Sequence, residues 1–264
     1  MTARKILLTG ILGMGLLFPF LCYAQSLPSF ERASYNGKND TLPYRILFPR
    51  NFDPTKKYPL ILVLHGAGER GNDNEAQLKY GTQLFLTDTI REKYPAIVVY
   101  PQCPKNGWWS NVQMKNDSGK WTWTFVEGGE PTPAMKSLLG LISQLLDKPF
   151  IDKKRVYVGG LSMGGMGTFE LLRRKPELFA AAFPICGGDN TQNAKIYAKK
   201  VPLWVFHGAK DNIVQPEHSI IMVEAIKAAG GNPKFTLYPN DGHNSWDHAF
   251  AEPGLMAWLF SHKK

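Results

Sequence analysis

Short apolar runs alternate with longer runs of helical periodicity along most of this chain. Residues 59–64 (Pro-Leu-Ile-Leu-Val-Leu) carry no polar side chain. A run of that length, rich in branched residues, reads as a strand buried on both faces. Similar runs occupy 44–49, 96–100, 156–159, 180–185, 202–206 and 234–238. Between them, 133–146, 168–174, 216–229 and 246–260 read as amphipathic helices. Pro133 and Pro216 stand at first turns, and Gly230-Gly231 follows a last one, the asymmetry expected of helix ends. Strands alternating with helices predict an α/β fold: a mostly parallel, twisted sheet with helices on both faces.

One segment breaks the rhythm. Residues 106–130 hold Trp108, Trp109, Trp121, Trp123 and Phe125 among Gly, Asn, Ser and Thr. It is too long for an ordinary connection, and reads as a loop or small hairpin inserted over the strand ends.

The first residues follow another pattern. Arg4 and Lys5 precede an apolar stretch from Ile6 to Leu21, then Cys22-Tyr23-Ala24 and the polar Gln25-Ser26. This reads as a secretory signal peptide, residues 1–24, cleaved after Ala24. Pro19 and the short span disfavour a transmembrane anchor, and Phe20 is bulky for a lipid-modified Cys22. The expected product is secreted or periplasmic, with residues 25–264 forming one domain and no stable membrane insertion.

A chain of 264 residues with 44% hydrophobic content has enough for one full core. The formal net charge is +9, but the basic residues are scattered, and Arg173 to Lys175 suit the end of a helix. Solubility or attraction to anionic polymers follows from such a surface. No aromatic-basic array suggests nucleic acid as a partner. Cys103 and Cys186 both follow core strands, and their spacing alone leaves a disulfide between them open.

The chemistry starts at Gly160-Leu161-Ser162-Met163-Gly164. This G-x-S-x-G follows a strand and opens a helix, the setting of a serine held on a sharp, strained turn with glycine relieving the crowding. A serine hydroxyl needs a base, and the base needs an acid to orient it. In an open α/β sheet such groups lie at the carboxyl ends of strands. Asp211 follows strand 202–206; its rival is Asp189, after an earlier strand. His243 follows strand 234–238. The order Ser162, Asp211, His243 fits a nucleophile, acid and base. His65 and His207, at strand ends before glycine, read as structural. Two backbone amides are needed to hold an oxyanion. Met163 is one; the other is Ala67, with Gly68 as the alternative, in His65-Gly66-Ala67-Gly68-Glu69-Arg70-Gly71. Trp109, Trp246 and Glu69 are candidate substrate contacts.

These pieces, with Pro101-Gln102-Cys103-Pro104, His207-Gly208 and Gly242-His243-Asn244-Ser245-Trp246, resemble the α/β-hydrolase superfamily. The likeness is to secreted esterases and predicted peptidases of the feruloyl-esterase and polyhydroxybutyrate-depolymerase kind. It implies a carboxylic ester hydrolase working through Ser162, His243 and Asp211 with an acyl-enzyme, no cofactor and no metal. The expected substrate is a small or polysaccharide-linked ester, such as an acyl or feruloyl ester of a plant polysaccharide. The alternatives are a prolyl-oligopeptidase-like serine peptidase, or a non-catalytic carbohydrate-binding homologue.

Overall fold

The structure, a computed structural model, describes residues 29–38, 40–118 and 120–264. The predicted signal peptide, with Cys22, lies outside the described residues. Ten strands are present among the described residues: β1 (Glu31–Asn36), β2 (Thr41–Leu47), β3 (Tyr58–Leu64), β4 (Ile97–Pro101), β5 (Val112–Asp117), β6 (Lys120–Phe125), β7 (Ile151–Leu161), β8 (Ala181–Ile185), β9 (Trp204–Gly208) and β10 (Lys234–Tyr238). Eight of them form one sheet in the order β1-β2-β4-β3-β7-β8-β9-β10, while β5 and β6 form a separate two-stranded sheet. β1 and β2 run antiparallel, as do β2 and β4. From β4 through β3, β7, β8 and β9 to β10 the pairing is parallel. This is the α/β-hydrolase fold.

Alternation along each parallel strand builds two cores. Leu60, Leu62 and Leu64 face one side, with α3 (Pro133–Leu146), α4 (Met163–Arg174), α5 (Ala194–Tyr197) and α6 (Glu217–Ala228) packed over it. Ile61 and Val63 face the other, which is covered by α1 (Thr82–Leu86), α2 (Asp88–Lys93), α7 (Trp246–Ala251) and α8 (Leu255–Phe260). Residues on both faces of β3 are buried, so its sequence is uniformly apolar rather than alternating.

Two expectations need correction, and one strand was not anticipated. The helix anticipated over 246–260 is broken into α7 and α8. Glu252 is extended (φ −61°, ψ 113°) ahead of Pro253, because the proline ring excludes the helical conformation from its predecessor. The strand anticipated at 44–49 begins at Thr41 and ends at Leu47. β1 was invisible to hydrophobic patterning: it is an edge strand with largely exposed side chains. The insertion at 106–130 is indeed a hairpin, β5–β6.

Candidate active site

The parallel strands all end on one rim, and the candidate residues stand just beyond those ends. β7 stops at Leu161 and α4 starts at Met163, so the chain reverses on Ser162 alone. Its backbone sits at φ 54°, ψ −116°, a strained conformation for a residue with a side chain. Its amide donates to the Ile185 carbonyl at 2.9 Å, which fixes the turn to β8. A side chain at Gly160 or Gly164 would lie 2.5 or 2.0 Å from the Leu64 carbonyl oxygen. The glycines therefore let the turn press directly against the end of β3.

Above that turn the Ser162 hydroxyl donates to His243 Nε2 at 2.9 Å. His243 Nδ1–H donates to Asp211 Oδ2 at 2.7 Å. The Asp211 carboxylate is buried. Its other oxygen accepts from the Ile213 and Val214 amides at 2.9 and 3.0 Å. Burial alone would raise its pKa. The hydrogen bonds from His207, His243 and Ile213 outweigh that and hold it well below the usual carboxylate range.

Asp189 does not join them. It accepts from the Asn190 amide at 2.7 Å and the Asn193 side chain at 3.0 Å. Burial pushes its carboxyl up to about 7.

His207 has a larger part than strand-end packing. Its Nε2 lies 3.2 Å from Asp211 Oδ2 and 2.8 Å from the Val214 carbonyl. Nδ1 meets the Ser219 hydroxyl at 2.7 Å, and Ser219 donates to the Gly187 carbonyl at 2.8 Å. The imidazole thus braces the carboxylate from below. The signal for it in the sequence is the four-residue spacing from Asp211 across a turn.

Met163 opens α4, and Ala67 opens a single 3₁₀ turn, Ala67–Glu69. First-turn amides have no partner within their own helix, and both residues line the cavity beside Ser162. The Ala67 loop is fastened from behind. Arg70 Nε donates to the Ala67 carbonyl at 2.9 Å. The buried Gln102 side chain donates to the Glu69 carbonyl at 3.2 Å and accepts from the Asn74 amide at 2.7 Å. His65 Nε2 accepts from the Cys103 amide at 2.9 Å, and its Nδ1–H donates to the Gly66 carbonyl at 2.6 Å. The 101–104 segment is therefore a strap for this loop.

The Cys103 amide requires an unprotonated Nε2, and burial outweighs the hydrogen bond to the Gly66 carbonyl, lowering the His65 pKa to about 4. An unfolded histidine titrates near 6.5. The unfolded chain then binds the extra proton first, so the stability from a neutral His65 is complete above about pH 6.5 and declines as pH falls toward 4. This contribution is on the order of 3 kcal/mol. Denaturant unfolding of wild type should show this decline between pH 7 and 4.5, and His65→Asn should flatten it. Parallel curves for the two proteins would reject the assignment.

The cavity over Ser162 has a volume of about 420 Å³. Glu69 lines it and is largely buried, which raises its carboxyl pKa. Trp246 forms another wall, its ring 5.2 Å from that of His243 and nearly perpendicular. Trp109 is a correction. It is fully buried, packed edge-on to His65 at 5.5 Å and against Gly167. Its neighbour Trp108 faces the cavity instead, with Trp121 and Trp123 from the hairpin. Two adjacent tryptophans point opposite ways, and their sequence does not say which is which.

Cys103 and Cys186 are buried free thiols, not joined to each other. Burial pushes the Cys103 thiol up to about 12 and raises that of Cys186 as well. Among the described residues, Cys186, Asp211 and His243 offer ligand atoms within 4.8 Å of one another. Asp211 and His243 are already committed to each other, and the protonated thiol is a poor ligand. No helix among the described residues is long and apolar enough to cross a membrane.

Residues 53–252 match the family model described as phospholipase/carboxylesterase. The chain is 28% identical over 166 residues to the bifunctional acetylxylan esterase/xylanase XynS20E of Neocallimastix patriciarum, covering 63% of this chain and 21% of that protein. It is 29% identical over 212 residues to lysophospholipase-like protein 1 of Mus musculus, covering 76% of this chain and 87% of the relative. Among solved structures, a thermostable esterase superposes with a TM-score of 0.78 at 33% identity, over 89% of this chain and 63% of that one. The chain thus spans about a fifth of the xylanase-linked relative and less than two thirds of the thermostable esterase.

Proposed function

Because the chain belongs to the phospholipase/carboxylesterase family of α/β-hydrolases, we propose that it hydrolyses carboxylic esters through Ser162, His243 and Asp211. The observation that carries this reading is the continuous line of hydrogen bonds from the Ser162 hydroxyl through both nitrogens of His243 to Asp211, facing a cavity of about 420 Å³.

In the proposed reaction, His243 Nε2 takes the Ser162 proton as the oxygen attacks the ester carbonyl. The amides of Met163 and Ala67 stabilise the oxyanion of the tetrahedral intermediate. Asp211 holds Nδ1 protonated and offsets the charge of the imidazolium. The intermediate collapses, and His243 gives its proton to the departing alcohol. Water, deprotonated by His243, then attacks the acyl-serine and releases the acid. Ser162 and His243 end as they began, and no cofactor enters the cycle.

The acetylxylan esterase relative and the solute-like size of the cavity support acyl or feruloyl esters of plant polysaccharides as substrates. The N-terminal sequence pattern supports export, matching a secreted or periplasmic substrate. Peptidases are also among the relatives, including a probable dipeptidyl-peptidase 5 of Aspergillus niger, of which the chain spans 33%. A panel of feruloyl, acetyl and short-chain aryl esters beside peptide amides tests the choice. Ester turnover with no amide cleavage is the expected result, together with labelling by a fluorophosphonate probe. Amide cleavage at comparable kcat/KM would assign a peptidase, and no labelling would point to a non-catalytic protein.

A further inference from the structure

Basic residues that are scattered along the sequence are gathered by the fold onto one rim. Parallel strands that end together also begin together, so the starts of β3, β7, β8, β9 and β10 lie on the rim opposite Ser162. Lys57 precedes β3, Lys153 and Lys154 lie near the start of β7, and Lys199 and Lys200 precede β9. Lys234 opens β10. All of these are exposed. Neighbouring strands stand about 4.8 Å apart, so the line from β3 to β10 runs about 19 Å. At its β3 end, Lys57, Lys148, Lys153 and Lys154 line a cleft of about 370 Å³ together with Asp147 and Asp152. The Lys264 amide donates to the Lys154 carbonyl at 3.0 Å, which carries the basic surface onward. Partial burial lowers the Lys264 pKa, Glu177 opposes this, and the Lys200 ammonium lowers it further. Carboxylates do not balance the rim. Asp152 is held by Arg155 at 2.7 Å, and Glu177 stands 3.8 Å from Lys175. Among the described residues, the lysines in ion pairs are Lys56, Lys115, Lys175 and Lys227. The other lysines of this rim have no carboxylate within ion-pair distance.

We propose that this lysine rim is a docking surface for a linear acidic polysaccharide, one whose sugars carry uronate carboxylates. Helix ends do not account for the lysines. The field of a helix C-terminus favours Lys148 and Lys175, which follow α3 and α4, but Lys57, Lys153, Lys154 and Lys234 precede or open strands. An extended row of like charges suits a polyanion with repeated carboxylates better than a compact ligand. The other polyanions fit less well. The exposed large apolar side chains among the described residues are Met114, Ile221 and Leu237, on the hairpin, in α6 and late in β10. The rim therefore offers a membrane nothing to insert, and it carries no exposed aromatic face on which a base could stack. Its arginines are taken: Arg155 by Asp152, Arg173 and Arg174 by Glu170. Bidentate capture of a phosphate is thus not provided for, whereas lysines act as separate point charges. Nine residues of β7 and its end separate Lys153 from Ser162, about 30 Å of extended chain. A polymer held on this rim leaves the cavity over Ser162 open.

The test reads binding alone and does not depend on the ester-hydrolase reading. Wild type should bind immobilised polygalacturonate and not neutral xylan, and raising NaCl from about 0.05 to about 0.5 M should release it, because such charges are screened. Two double variants sample opposite ends of the line. Lys153→Gln with Lys154→Gln, and Lys199→Gln with Lys200→Gln, should each weaken binding about tenfold, a few-fold for each exposed charge removed. All four side chains are exposed, so circular dichroism should not change. Lys105→Gln with Lys136→Gln removes the same charge near the other rim, after β4 and at the start of α3, and should stay within about twofold of wild type. No binding by wild type overturns the proposal. So does an equal loss in the Lys105/Lys136 pair, which would make net charge alone responsible. Tighter binding to anionic lipid vesicles or to double-stranded DNA than to polygalacturonate would also overturn it, since the partner would then be of another class.

Discussion

Ser162→Ala should lower kcat for p-nitrophenyl acetate by on the order of 10⁶, leaving little beyond the contribution of the proposed oxyanion amides and binding. The oxygen is the only atom removed. It makes one hydrogen bond, to His243. The strained backbone at φ 54° is inherited by alanine, so the strain is neither relieved nor increased. Unfolding stability should therefore change by no more than about 0.5 kcal/mol, and circular dichroism should be unaltered. Binding of a non-hydrolysed ester analogue should persist, because the indole walls and the loop amides remain. Turnover within tenfold of wild type, with folding intact, would end the proposal that Ser162 is the nucleophile.

Asp211→Asn should cost both activity and stability, and the structure gives a reason why an amide is a poor stand-in. Four donors converge on this carboxylate: the Ile213 and Val214 amides on one oxygen, and His243 Nδ1 and His207 Nε2 on the other. An asparagine has one acceptor oxygen. With its NH₂ toward the histidines, it faces two ring N–H groups and forces His243 toward the other tautomer, whose Nε2–H cannot take the serine proton. With its NH₂ toward the loop, it opposes two backbone amides. The expected fall in kcat is about 10⁴. The loss of stability is about 1–3 kcal/mol, from buried donors left without acceptors. Steady-state kinetics and urea unfolding on the same preparation read both. A variant with wild-type stability and a drop below tenfold would show that neither the burial nor the convergence of donors matters.

Much of the fold was legible because parallel strands buried on both faces must be apolar at every position. Residues 59–64 and 180–185 could be placed for that reason. The edge strand β1 could not, since its side chains are largely exposed and its place is set by backbone pairing with β2. The helix break at Pro253 was readable in principle, but the apolar periodicity runs through it. Ser162, Asp211 and His243 could be chosen because the chain returns to the same rim after every parallel strand, so position after a strand is already a coarse spatial coordinate.

The sequence by itself determined the parallel strands, the rim and the chain order of the proposed nucleophile, acid and base, because period, punctuation and chain order are local properties. Only the tertiary structure decided that His207 supports Asp211, that Gln102 and His65 strap the Ala67 loop, and that Trp108 rather than Trp109 faces the cavity. Those contacts join residues up to tens of positions apart, and they depend on side-chain direction. Chain order carries no information about which way a side chain points once the backbone stops repeating.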